Sequence, residues 1–346
     1  MIRPMPTPVA ERTRAQLLSG PRAASPVAVA QRLLAIQGQD PRGARLAVRA
    51  RSRGLTASCV DRCLTDDRSL VVTWLNRGTL HLVASEDHHW LLALTATGPT
   101  TSCMARLRRL GVPAASADRG VAAVERALAA EGPLIRDELR ERIAAAGVPT
   151  EGQALVHVLM LACLRGLAVR GPMKGGEHAY VLVRDWLGAP LRRERDAALA
   201  ELARRYLAGH GPASDRDLAR WAGVPLGAAR SGLRAISREI EERAGGLVAL
   251  RGATRARALP PPRLLGAFDP VLLGWTSRTD VIDPAHGTRI VDGGIFRSFA
   301  LAEGRAVALW RLQRGRVEIE PLAPIPEEVV GALEREARDV ERFLAG

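Results

Sequence analysis

One punctuation marks two stretches of this chain: Gly132-Pro133 is followed by Gly147-Val148-Pro149, and Gly211-Pro212 by Gly223-Val224-Pro225. Each Gly-Pro precedes a helical stretch, IRDELRERIAAAG in the first copy and DRDLARWAG in the second. Each Gly-Val-Pro leads into another, QALVHVLMLACLRG and LGAARSGLRAI. Glycine supplies the positive φ that stops a helix, and proline presets φ for the start of the next. Two helices joined this tightly form a helix-turn-helix, and the repeat makes the chain a row of such modules. Thr150 with Gln153 gives a capping-box pattern ahead of one helix, and Ser214, with Asp217 three residues on, is the N-cap of the helix in the second copy. Beyond the first copy, LAVRG and HAYVLV read as strands around a turn-rich PMKGGE, a wing. The strand GLVALRG completes the second copy.

The segment before residue 116 follows the same outline. Helix PVAVAQRLLAI leads through QGQD to a basic helix, GARLAVRARSRG, and Thr56 caps ASCVDRCL. SLVVTWLNRGTLHLV supplies two strands that turn at Asn76-Arg77-Gly78, and Ser85-Glu86-Asp87 opens the helix HHWLLAL. After residue 252 the texture changes to a proline run, Pro260-Pro261-Pro262, and short alternating segments such as RAVALWRLQRG and RVEIEPLAPI. The expected class is α+β: three tandem winged helix-turn-helix units, then a small antiparallel β-barrel-like domain and a C-terminal helix. The expected divisions are 1–115, 116–190, 191–252 and 253–346.

A net charge of +13 is unusual for such a chain, and arginine supplies nearly all of it because Lys174 is the only lysine. That excess points to a polyanionic partner. No stretch of about 18 apolar residues occurs, so no membrane span is expected, and no long basic amphipathic segment suggests a membrane surface. MIRPMPTPVAERTR lacks the apolar region of a signal peptide. Cysteines 59, 63, 103 and 163 form no disulfide framework in a chain of this length, which fits a reducing cytoplasm.

Chemistry concentrates at Gln37-Gly38-Gln39-Asp40. Two polar residues after a helix can simply satisfy loop carbonyls, with Asp40-Pro41 starting the next helix. They can also orient a water beside a sugar carbon that is developing oxocarbenium character. A base made cationic by N7 alkylation departs as a neutral species, so no strong acid is needed and a carboxamide suffices. Arg77, Thr79 and His81 form a second candidate, with Arg77 gripping phosphate and the other two lining a pocket; the alternative is a plain turn and strand. His81, His88 and His89 match no zinc spacing, so no metal is expected. Residues 279–294 suggest a β-hairpin with its tip near Pro284-Ala285-His286-Gly287, which would bring Arg278, His286 and Arg289 to DNA; otherwise it is a barrel loop. Arginine-rich stretches such as RLAVRARSR and ARLRRL are either solvated helix faces or a phosphate-binding cluster.

The segments IQGQDP (36–41), WLNRGTLHLV (74–83), FDPVLLGWTSR (268–278) and AEGRAVALW (302–310) together resemble the winged-helix DNA glycosylases of the AlkZ/YcaQ type. These motifs span nearly the whole chain. The resemblance implies tandem winged helices plus a β-barrel, and hydrolysis of N7-alkylguanine from DNA, including unhooking of interstrand crosslinks. By that resemblance Gln37 and Gln39 fall on the family's catalytic glutamines, and Gln39 places the chain with members carrying glutamine rather than aspartate there. The expected enzyme is a monofunctional hydrolase without cofactor, because Lys174 lies in the expected second wing, far in sequence from the glutamines. Its expected partner is double-stranded DNA with alkylated or crosslinked guanine, bound by a monomer. A tandem winged-helix transcription regulator would share the charge and the repeats, but not a need for the glutamines.

Overall fold

The computed structural model describes residues 8–189 and 193–346. The first seven residues of MIRPMPTPVAERTR, and the expected boundary at 190–191, lie outside them. Two compact units emerge: Met1–Val60 with Leu199–Trp221 and Pro225–Gly346, and Asp61–Ala198 with Ala222–Val224. The fold is a mixed α+β arrangement with antiparallel sheets.

In the second unit, the strands Thr79–Ala84, Leu70–Leu75, Ala168–Lys174 and Glu177–Leu182 lie side by side in that order. Leu70–Leu75 is buried along its whole length, as expected for a run of apolar and β-branched residues in the middle of a sheet. Helices Ala114–Glu131, Arg136–Ala145 and Ala154–Leu164 precede the second hairpin, whose turn at Gly175-Gly176 has φ of 60° and 84°. The Thr150 capping box does not form. The helix starts at Ala154, after a turn over residues 151–153. Both Gly-Val-Pro turns carry glycine at positive φ, 70° at Gly147 and 69° at Gly223. At Gly223 a Cβ would also fall 2.8 Å from the Asn76 backbone, so the turn needs glycine for space as well.

In the first unit, the helix Pro41–Arg51 packs on the strand Arg263–Leu265 and on the C-terminal helix Glu327–Ala345. The Ser214–Asp217 capping box is present in full: Ser214 N donates to Asp217 Oδ2 at 3.0 Å, and Asp217 N to Ser214 Oγ at 3.1 Å. After the helix Leu226–Ala235 comes the hairpin Ile240–Arg243 with Leu247–Leu250.

The expected barrel does not close. Strands Arg316–Pro321, Arg305–Gln313, Phe299–Ala302 and Arg263–Leu265 form an open antiparallel sheet in that order. Four strands are too few, since about eight are needed to enclose a filled interior. The outer edge strand carries Arg316, Glu318 and Glu320 at alternating positions, charges that discourage further pairing. Leu333, Val340 and Phe343 bury one stripe of the terminal helix.

Candidate active site

The QGQD turn belongs to the first unit and is held from both sides. The helix Pro26–Leu33 is capped by the Ser25 side chain and ends at Leu34, whose φ of 65° reverses the chain. Ile36–Gln37 is extended and buried. Asp40 then caps the helix Pro41–Arg51, its carboxylate accepting from Arg42 N at 2.9 Å. Gln37 is buried and Gln39 exposed, and the Gln37 Nε2 amide donates to Gln39 Oε1. The two side chains are thus one hydrogen-bonded unit. A carboxamide offers donors and acceptors but no proton to give at neutral pH, so the pair can orient and polarise but cannot act as a general acid.

The start of the following helix is clamped. A Cβ on Gly43 would lie 2.3 Å from the Ala267 carbonyl oxygen, and one on Gly266 would lie 3.0 Å from Gly43 Cα. Glycine at 43 and 266 therefore lets the helix sit directly on this strand end, one turn after Gln39.

Three of the four arginines of RLAVRARSR, Arg45, Arg49 and Arg51, point inward, and Arg53 alone of the four is exposed. Arg49 donates to Glu336 Oε2 at 2.7 Å, Asp339 Oδ2 at 3.0 Å and Leu264 O at 2.8 Å. Arg51 pairs with Asp269 and also donates to Gln16 Oε1 at 2.9 Å. Asp269 belongs to FDPVLLGWTSR, so that motif anchors the helix behind the glutamines. In ARLRRL, by contrast, Arg108 and Arg109 are exposed.

In the second unit Arg77 is exposed at the hairpin turn, and Thr79 and His81 lie on the strand that follows. His81 is buried, and its Nδ1–H donates to the Thr79 carbonyl at 2.9 Å. Burial, helped by the charge of Arg77, pushes its pKa down to about 3, so it is a neutral core histidine. The Thr79 hydroxyl is buried without a hydrogen-bond partner.

The remaining expected residues are in the first unit and do not gather at a hairpin tip. Pro284–His286 is a 3₁₀ turn followed by a helical turn, Gly287–Ile290. Proline at 284 and the Asp283 carboxylate, which accepts from Ala285 N, start a helical turn there instead of a hairpin tip. The hairpin is Val291–Asp292 paired with Ile295–Phe296, turning at Gly293-Gly294 with φ of 54° and 85°. Sequence reading placed the tip too early and missed Ile295, which is 63% exposed beside it. The Asp-Gly-Gly string was the available signal. Arg278 is half-buried over the Phe296 ring and donates to Leu272 O at 2.7 Å. Arg289 pairs with Glu320 at 2.6 Å, and His286 borders a small cavity with Asp283 and Arg305.

A buried-to-exposed glutamine pair on a capped turn, in a chain carrying the three other motifs, can be compared with known proteins. The family model described as DNA glycosylase AlkZ-like matches residues 30–343. The chain belongs to the AlkZ-like DNA glycosylase family. The interstrand DNA cross-link repair glycosylase of Streptomyces sahachiroi is 27% identical over 334 residues, covering 91% of this chain and 89% of that protein. The solved structure of the Streptomyces sahachiroi DNA glycosylase AlkZ is similar throughout, with a TM-score of 0.80 at 27% identity over 97% of this chain and 95% of that one. As a family member this chain is a DNA glycosylase, with DNA as its partner. Among the described residues no helix is long and apolar enough to cross a membrane.

Proposed function

We propose that this glycosylase is monofunctional and hydrolyses the N-glycosidic bond of N7-alkylguanine in duplex DNA, including guanine tied into an interstrand crosslink. The observation that carries the proposal is the Gln37–Gln39 hydrogen bond on the capped turn. N7 alkylation gives the base a positive charge, so it leaves as a neutral species once the C1′–N9 bond stretches. The glutamine carbonyl oxygens then need only align a water and favour the developing oxocarbenium ion. Water attacks C1′, its proton passes to solvent, and an abasic site remains.

Monofunctional chemistry is supported by the state of Lys174. Its side-chain amine donates to Glu138 Oε1 at 2.7 Å and to the Pro133 carbonyl at 3.2 Å, so the group is committed to the start of the helix Arg136–Ala145 and not held out as a nucleophile. The three-helix-plus-hairpin runs over 114–182 and 195–250, close to the expected modules 116–190 and 191–252, act as winged helices by which a monomer grips the duplex. Arg77 contacts a phosphate at the hairpin turn, while Thr79 and His81 hold the strand behind it. The probing hairpin is assigned to residues 291–296 with Ile295 as its wedge; Arg278 supports it from below, and His286 and Arg289 flank it. The FDPVLLGWTSR segment and the inward arginines hold the catalytic turn in place.

The test is release of free base from duplex containing N7-methylguanine, followed by alkali cleavage at the abasic site. Wild-type protein is expected to release base, and the Gln37→Ala/Gln39→Ala variant to release none while binding the same duplex. Full release by that variant would overturn the assignment.

A further inference from the structure

A cavity of about 280 Å³ lies in the first unit, and none of its lining residues belongs to the QGQD turn. Its walls come from the helices Val9–Ala15, Pro26–Leu33 and Arg195–His210 and from the turn at Arg251-Gly252. Three arginines are among its lining residues: Arg14, Arg32 and Arg251. The single lining carboxylate, Glu11, is already committed to Arg243 Nε at 2.9 Å.

Packing holds two of them, Arg14 and Arg32, while Arg251 is exposed and donates through Nε to the Arg238 carbonyl at 2.9 Å. Arg32 is anchored through Nε to the Ala15 carbonyl at 2.8 Å. A Cβ on Gly209 would lie 2.3 Å from the Arg32 carbonyl oxygen, so two helices meet there in direct backbone contact. Arg14 lies across Gly20, where a Cβ would fall 1.6 Å from its Nη1, so a larger residue there would move the guanidinium aside. The site therefore gathers like charges that repel one another. Burial pushes the Arg32 pKa down, and the charge of Arg14 lowers it further. An oxyanion seated among the three would remove that penalty and accept forked hydrogen bonds from the guanidinium groups.

We infer that this cavity, lined by Arg14, Arg32 and Arg251, is a phosphate-binding site separate from the glutamine turn. Its ligand is a phosphate oxyanion, which either the DNA backbone or free phosphate could supply.

Two measurements on the full chain test this, using Arg14→Gln and Arg32→Gln, with Arg109→Gln on an exposed helix end as the control for lost charge. The first is the melting midpoint in inorganic phosphate against chloride at matched ionic strength. The expected phosphate-specific rise occurs in wild type and in Arg109→Gln and disappears in the two cavity variants. The second is undamaged-duplex affinity across salt concentration. A slope of log K against log salt that falls by about 0.9 more than in the control means that a backbone phosphate sits in the cavity. An unchanged slope, with the phosphate-specific rise lost in the cavity variants, identifies free phosphate as the ligand, whereas a rise that survives in those variants overturns the inference. Absence of both effects overturns the inference. Should Arg32→Gln fail to fold, Arg14→Gln decides alone, with Gly20→Ala, which displaces the Arg14 guanidinium, as its companion. Neither measurement reads base release, so the outcome is independent of the proposed chemistry.

Discussion

Asp269 takes both arms of the Arg51 guanidinium, Oδ1 from Nη2 at 2.7 Å and Oδ2 from Nη1 at 2.9 Å, and neither side chain has any exposed surface. Removing one partner strands a charge in the core. Asp269→Ala and Arg51→Ala should each cost about 3–5 kcal/mol in urea unfolding. The double variant should cost clearly less than the sum of the two.

Catalysis by a neutral pair has a pH signature. With Gln37 and Gln39 as the working groups, base release from N7-methylguanine duplex should stay flat between about pH 6 and 8. A Gln39→Asp variant should add a limb near the ordinary carboxylate range, at about pH 4. A bell-shaped profile in wild type would point to an ionisable catalyst elsewhere.

Three buried histidines make the fold acid-sensitive. Burial pushes His81, His88 and His210 down from 6.5 to about 3. The unfolded chain therefore takes up protons first as pH drops below 6.5, so stability is full above that value and declines toward 3. The loss should approach about 1.4 kcal/mol per histidine for each pH unit below 6.5. Melting midpoints recorded from pH 7.5 to 5.5 should fall, and His88→Phe should flatten the decline.

Gly43→Ala tests the clamp under the catalytic turn. Its methyl group would meet the Ala267 oxygen, forcing the helix start to shift. Overpacking of this kind costs about 1–3 kcal/mol. The single-turnover rate should drop while duplex affinity is retained, because the displaced groups are the glutamines and not the DNA grip.

Ile295→Ala should leave the melting midpoint nearly unchanged, since the side chain is mostly exposed. Binding to a lesion-bearing duplex should nonetheless weaken more than binding to the matching single strand. Equal losses would remove the hairpin from lesion probing.

What the sequence made legible was local. Gly147, Gly223 and the Ser214–Asp217 box act within a few residues, so helix starts and stops could be placed from the chain alone. Thr150 failed because residues 151–153 form a turn ahead of the helix that starts at Ala154. Direction was harder to read than periodicity. An amphipathic helix rich in arginine looks solvent-facing until its acids are found, and Asp269 lies 218 residues from Arg51. Sheet closure was likewise hidden, because strand pairing is non-local. The glutamine motif was legible through its resemblance to a family. Its internal hydrogen bond, and the glycine contact that seats it, needed the fold.

The lack of any acid between Gln37 and Gln39 bears on fidelity. An ordinary guanine carries no charge of its own and leaves only if something protonates it. On the proposed mechanism, two amides cannot supply that proton, so healthy bases survive contact with the catalyst even when the protein has gripped them. Discrimination then lies in the lesion's own chemistry, and the enzyme can scan a genome without harming it.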